Sequence, residues 1–236
     1  MKLTAELVAL CERAVEDPGP DPSRQRLDDS DVRSFSEALA ADLDGGPLWL
    51  FAYGSLIWKP AFEAVESRRS MARGWHRAFT MEMTRWRGSP DQPGLMMVLE
   101  RGGVCHGVAY RLPDTDHPAQ IARMVERETE YRSDLGSIRW IGVDTGAERV
   151  RALAFWATSR RGDLGHKLSL EETARRIARA CGHVGSNAAY LYHTVAGLEA
   201  FGIRDRNLWR LQELVAVEIE RAFATPGARR PESAST

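Results

Sequence analysis

The chain has 236 residues, three cysteines and a formal net charge of −1. That length holds one large domain, or one domain with appendages, and can bury a core without disulfides or a structural metal. A near-neutral chain offers no electrostatic reason to expect a nucleic acid or an anionic membrane as partner. Cys11, Cys105 and Cys181 are odd in number and far apart, as in proteins of a reducing compartment. No apolar run approaches the roughly 18 residues that span a bilayer. The first residues carry Glu6 and Glu12 and lack a signal-type apolar run, so the expected location is the cytoplasm.

Residues 1–46 read as an N-terminal helical arm. Asp17-Pro18-Gly19-Pro20-Asp21-Pro22 is a turn-rich break with a short helix expected on either side, the second over Asp31 to Leu43. The body starts at Pro47. Leu48 to Ala52 is a short apolar run that enters a loop at Tyr53-Gly54-Ser55 and reads as a buried strand. Trp75 to Met83 alternates, with Trp75, Phe79, Met81 and Met83 on one side, which is a strand pattern. Arg87 to Gly94 reads as a long turn. Further strands are expected at Leu95 to Leu99, Val104 to Leu112, Ile138 to Val143 and Arg149 to Thr158, with a helix at Pro118 to Arg132 opened by its proline. In the C-terminal third, Ser169-Leu170-Glu171-Glu172 opens a helix that Gly182 should close. Asn187 to Phe201 is a second helix, and Asp205 caps a third whose inner face is Leu208, Leu211, Leu214, Val215 and Ile219. Residues 225–236 lack an apolar period and read as a disordered tail. Strands followed by helices, with one helix inserted, predict an α+β fold with a curved antiparallel sheet or small barrel covered by helices.

Glu128 is the residue most out of place. On the expected helix, Ile121, Met124, Val125 and Glu128 fall at i, i+3, i+4 and i+7, so a carboxylate occupies the next core position. Burial of such a group raises its pKa, which is what general acid/base chemistry uses. The same pattern fits a Glu paired with an Arg or one at the edge of the helix face, and spacing alone favours those readings. Glu82, on a strand, is the second choice of base. The loop Tyr53-Gly54-Ser55-Leu56-Ile57-Trp58 can bring backbone N–H groups close to an anion, or can be a plain turn. Ser55 lacks the G-x-S-x-G elbow of a nucleophile. Arg85 and Arg87 can hold a substrate carboxylate or form a solvated strand end. His76, His183 and His193 lack zinc-like spacing, and Cys105 and His106 point to opposite faces of a strand, so no metal is expected.

Taken together, several separated motifs resemble one family. Phe51-Ala52-Tyr53-Gly54-Ser55-Leu56-Ile57-Trp58-Lys59-Pro60 is similar to the opening signature of the ChaC family of glutathione-specific γ-glutamylcyclotransferases. The resemblance continues through Arg73-Gly74-Trp75-His76-Arg77, Arg87-Gly88-Ser89-Pro90, Gly107-Val108-Ala109-Tyr110 and Arg127-Glu128. It ends in Gly185-Ser186-Asn187-Ala188-Ala189-Tyr190-Leu191 and Gly202-Ile203-Arg204-Asp205. It implies a small mixed or antiparallel β-barrel with flanking helices over residues 47–224. It implies Glu128 as the catalytic residue, Tyr53 to Trp58 as the substrate loop and glutathione as substrate, with no metal, nucleotide or redox cofactor. Tyr131 becomes a further possible substrate-binding residue. Many members have a Gly-Tyr pair soon after the glutamate; here Tyr131 comes early and the first glycine is Gly136, so residues 129–137 are shifted. Other γ-glutamyl amines, or a non-catalytic binding role of the same fold, stay open at this stage.

Overall fold

Two long antiparallel strands dominate the sheet in the computed structural model, which describes residues 1–158 and 168–223. Strand β2 (Glu66–Met83) pairs with strand β3 (Gly94–Arg111) along nearly its whole length. The first half of β2 escapes the sequence pattern because its inward positions carry Ser70 and Ala72, which do not read as an apolar alternation. The two strands expected at Leu95 to Leu99 and Val104 to Leu112 are one. Gly102 and Gly103 look like a turn in sequence, yet both sit inside β3 with φ of 105° and 73°. They face the register shift between Arg73 and Trp75, where Gly74 has φ of 80°. Glycines at a bulge bend a strand without ending it.

Strands β1 (Trp49–Ala52), β4 (Arg139–Asp144) and β5 (Arg149–Ala154) complete the sheet. The order β1-β3-β2-β4-β5 closes into a barrel through the parallel β1–β5 pair, with Trp49 opposite Ala152. On the other side β4 meets β2 at one register pair, Met71 with Asp144. Leu50, Phe51, Leu99, Val108 and Leu153 are fully buried and belong to the main hydrophobic cluster, which lines both faces of β1.

The arm is part of this body rather than an appendage. Helix α1 (Ala5–Leu10) and helix α2 (Asp29–Ala41) contribute Val8, Val32 and Leu39 to the main hydrophobic cluster, joined by Leu3 and Cys11. The Gln212 side-chain oxygen accepts from the backbone N–H groups of Lys2 and Leu3 at 2.9 and 2.8 Å. Helix α2 starts on a capping box between Asp28 and Asp31.

After β1 comes one turn of helix, α3 (Ser55–Trp58), and after β3 comes helix α4 (His117–Glu128). Helix α4 stops at Glu128 rather than Arg132. Thr129 turns extended, and its hydroxyl donates back to the Val125 carbonyl at 2.6 Å. The following residues pair with the arm: Leu27 N–H donates to the Glu130 carbonyl at 3.0 Å, and Arg132 N–H to that of Gln25 at 2.9 Å. A helical period cannot show this, because the competing partners lie in another part of the chain. A 3₁₀ helix (Arg132–Ser137) leads into β4.

Helices α5 (Leu170–Arg179), α6 (Asn187–Ala200) and α7 (Arg206–Phe223) cover one side of the barrel. Ser169 caps α5 as its pattern predicts, its hydroxyl accepting from Glu172 N–H. Gly182 does not close that helix. It lies in a two-strand ribbon, β6 (Cys181–Gly182) with β7 (Gly185–Ser186), where a Cβ would come within 2.3 Å of the Trp86 carbonyl oxygen. The tail expected at residues 225–236 lies outside the described residues.

Candidate active site

Six segments converge on one cleft at an end of the barrel. The turn after β1 brings Tyr53 and Gly54, and α3 brings Ser55 and Leu56. Strand β3 contributes Met96 and Met97, the end of α4 contributes Glu128, the turn after β5 contributes Phe155 and Trp156, and the first turns of α6 contribute Tyr190. The cavity between them is small, about 30 Å³. A larger groove lies away from this group, around Trp49, Arg68 and Arg151. Its charges are neutralised locally, Arg68 by Glu66 and Glu148, and Arg151 by Asp42.

Glu128 is the one carboxylate among the described residues lining the cleft. Ile121, Met124 and Val125 on the same helical face are fully buried, while the Glu128 side chain keeps 13% of its surface exposed. Burial pushes its pKa above the usual glutamate range, opposed by the charge of Arg127, whose Nε lies 3.4 Å from Oε1. The Arg127 guanidinium also donates to the Lys59 carbonyl, so it ties α4 to the segment just after α3.

Two buried phenols flank this carboxylate. Burial raises the Tyr190 pKa, and the Glu128 charge raises it further, against hydrogen bonds from the Ser55 hydroxyl and backbone N–H. Tyr190 is therefore an O–H donor at neutral pH. Tyr53 is raised by burial in the same way. Its hydroxyl is committed within the protein, donating to the Phe155 carbonyl at 2.9 Å. Trp156 carries φ of 51°, a left-handed conformation that strains a bulky residue. It is held there by Leu99 N–H donating to its carbonyl at 2.9 Å.

A Cβ at Gly54 would lie 3.2 Å from the Tyr190 hydroxyl oxygen and 3.7 Å from Met97 Sδ. A valine there adds two methyl groups to this already tight wall. Gly54→Val is expected to lower kcat/KM at least about tenfold while the melting temperature moves little, because the crowded atoms border open space. Steady-state kinetics beside a thermal melt check this; unchanged kinetics would make the loop a plain turn.

The cleft thus gathers Tyr53, Gly54, Ser55, Leu56 and Glu128 from the expected residues, and leaves the others outside its lining. Ile57 is buried against Gly197. Trp58 points its indole N–H at the Thr194 hydroxyl, 3.1 Å away. Arg85 forms ion pairs with Asp17 and Glu130 at 2.6 and 2.8 Å, and the Asp17 carboxyl is held down at about 2 by that guanidinium. Tyr131 lies under Arg24, and its hydroxyl accepts from Asp21 N–H at 2.6 Å. Arg87 lies over the rings of Trp58 and Tyr190 and donates to the Ser186 carbonyl at 2.9 Å. Glu82 is half exposed and paired with Arg176 at 2.7 Å. Periodicity alone missed Met96, Met97, Phe155, Trp156 and Tyr190. Tyr190 had one signal: it falls inside the Gly185 to Leu191 motif.

A closed five-strand barrel with flanking helices is an α+β fold. A solved structure described as a γ-glutamyl cyclotransferase specific to glutathione, from yeast, superposes with a TM-score of 0.62 at 21% identity, covering 73% of this chain and 96% of that one. The family model described as ChaC-like protein matches residues 48–218, and the chain belongs to that family. Among curated relatives, the glutathione-specific γ-glutamylcyclotransferase of Escherichia coli (strain K12) is 37% identical over 74% of this chain and 75% of its own. The Arabidopsis thaliana γ-glutamylcyclotransferase 2-3 is 30% identical over 71% of this chain and 88% of its own.

Proposed function

We propose that this chain is a glutathione-specific γ-glutamylcyclotransferase that releases 5-oxoproline and cysteinylglycine, with Glu128 moving the protons. One observation carries the reading: a single carboxylate among the described residues, buried and with its pKa raised, opens into a cleft beside Ser55 and Tyr190. The printed names of the relatives in Escherichia coli and Arabidopsis thaliana support the same activity. Residues 47–224 form the catalytic domain in this reading, and the cytoplasm is its place. No helix among the described residues is long and apolar enough to cross a membrane.

The γ-glutamyl group carries its own nucleophile. Its α-amine attacks the γ-carbonyl carbon, the lactam ring closes, and the C–N bond to cysteine breaks. Folding the chain so that amine meets carbonyl exploits intramolecular proximity. The attacking nitrogen starts as an ammonium and ends as a lactam N–H, so it gives up two protons. The leaving amine takes up both. Glu128, ionised, accepts each in turn and delivers it to the leaving nitrogen. The neutral Tyr190 hydroxyl and the backbone N–H groups at the start of α3 are donors available to the substrate carboxylate or to the oxyanion of the tetrahedral intermediate. Gly54 and Leu56 shape the wall, while Ile57 and Trp58 support α3 from behind. Arg87 stays a possible carboxylate partner for a longer substrate, whereas the ion pairs of Arg85 and the arm contact of Tyr131 speak against those two.

The test is incubation of the purified protein with glutathione and with γ-glutamyl-alanine, with 5-oxoproline read by mass spectrometry. Turnover is expected on glutathione and much less on γ-glutamyl-alanine. Equal turnover would make the enzyme a general γ-glutamyl amine cyclotransferase, and no 5-oxoproline from either would overturn the reading.

A further inference from the structure

The family match begins at residue 48, yet residues before it reach both sides of the cleft. On the Glu128 side, residues 25–27 pair with residues 130–132, Asp17 binds Arg85, which also holds Glu130, and Asp21 N–H binds the Tyr131 hydroxyl. Glu128 is therefore followed by a stretch whose course the arm sets. On the Tyr190 side, Glu12 just beyond α1 takes hold of the start of α6. Its carboxylate accepts from Ser186 N–H at 3.1 Å and from the Ser186 hydroxyl at 2.7 Å.

Ser186 is the N-cap of α6, its side-chain oxygen accepting from Ala189 N–H at 3.1 Å. Its carbonyl accepts from Arg87, the cation lying over the Tyr190 ring. Next to it, Asn187 locks the helix to β3 through Leu95, at 2.7 Å to its N–H and 2.8 Å to its carbonyl. One helical turn from this anchor, the Tyr190 hydroxyl closes on the loop after β1, 3.2 Å from where a Cβ at Gly54 would stand. A carboxylate at a helix N-terminus is favourable electrostatically, and this one also fixes the rotamer of the capping serine.

We propose that Glu12 is a positioning residue of the active site, supplied by an arm outside the family segment: it acts through Ser186 to hold the Tyr190 hydroxyl against the Gly54–Ser55 loop. This rests on the glutathione-cleaving reading above. Loss of its carboxylate frees the Ser186 hydroxyl to turn away from Ala189 N–H, loosens the first turn of α6 and lets the phenol drift. Small displacements of groups that orient a substrate cost large factors in rate.

The experiment is a double-mutant cycle on full-length protein, with Glu12→Ala, Tyr190→Phe and the two combined, read as kcat, KM and melting temperature on glutathione. Glu12→Ala is expected to lower kcat about tenfold with KM within about twofold. In the Tyr190→Phe background the same change is expected to have almost no further effect, because the hydroxyl it positions is gone. Glu12→Gln, whose amide oxygen still accepts from Ser186, is expected to recover most of the rate and guards against a misfolded alanine variant. A purely structural role would lower the melting temperature and leave kcat of the folded enzyme unchanged, which overturns the proposal. Additive losses in the cycle would do the same. Wild-type protein without turnover would overturn the functional reading together with this one, whereas an active wild type and an equally active Glu12→Ala would remove only the positioning role.

Discussion

Glu128→Gln is expected to fold and to lose at least about a hundredfold in kcat, in line with the worth of a positioned general base. The amide is nearly isosteric and can still sit beside Arg127, but it cannot accept the ammonium proton. The same variant is expected to be more stable than the wild type at neutral pH. Burial raises the Glu128 pKa, so the folded state binds this proton more tightly than the unfolded chain does. Wild-type stability then falls as pH rises from the unfolded value, about 4.3, through the raised folded value, because the buried carboxylate ionises at a cost. The glutamine variant carries no such penalty, so the two melting curves should meet in acid, diverge between the unfolded and folded pKa values and run parallel above them. The acid limb of the wild-type kcat profile is expected above the ordinary glutamate range for the same reason. Activity of Glu128→Gln within about tenfold of the wild type would remove Glu128 as the base. Glu82 could not replace it from its place beside Arg176 on the outer surface.

N-acetyl-glutathione is expected to yield no 5-oxoproline and to be cleaved at least about a hundredfold more slowly than glutathione, since the intramolecular nucleophile is lost. In cyclisation the substrate's α-amine attacks its own γ-carbonyl. Acetylation turns that amine into a poor nucleophile with no ammonium proton for Glu128 to take. Ordinary hydrolysis, through Ser55 or a water, would proceed regardless and release N-acetyl-glutamate. Ser55 lacks the elbow of an activated nucleophile, and no histidine lines the cleft among the described residues. Competition against glutathione separates loss of binding from loss of chemistry, and mass spectrometry identifies the product. N-acetyl-glutamate appearing at a rate near that of glutathione cleavage would replace cyclisation with hydrolysis.

Local periodicity was enough to place Glu128 on the buried face of α4, because a helix puts residues i, i+3, i+4 and i+7 in line whatever surrounds it. The same reasoning located β1, β4, β5 and the capped start of α5, and the order of strands and helices was enough for the α+β class. Motif spacing carried the rest of the family resemblance. Tertiary structure alone decided where α4 ends, since residues 130–132 exchange helical hydrogen bonds for pairing with residues 25–27. It joined the halves of β3 through glycines that read as a turn, and it closed the barrel by pairing β1 with β5. It also sorted the two arginines that the sequence leaves equivalent: Arg85 is neutralised by Asp17 and Glu130, whereas Arg87 lies on Tyr190. The physical reason is common to all of these. A sequence pattern reports which face of an element loses water, but the partner that covers that face comes from a distant segment, and its identity is set by closure, charge pairing and packing in three dimensions.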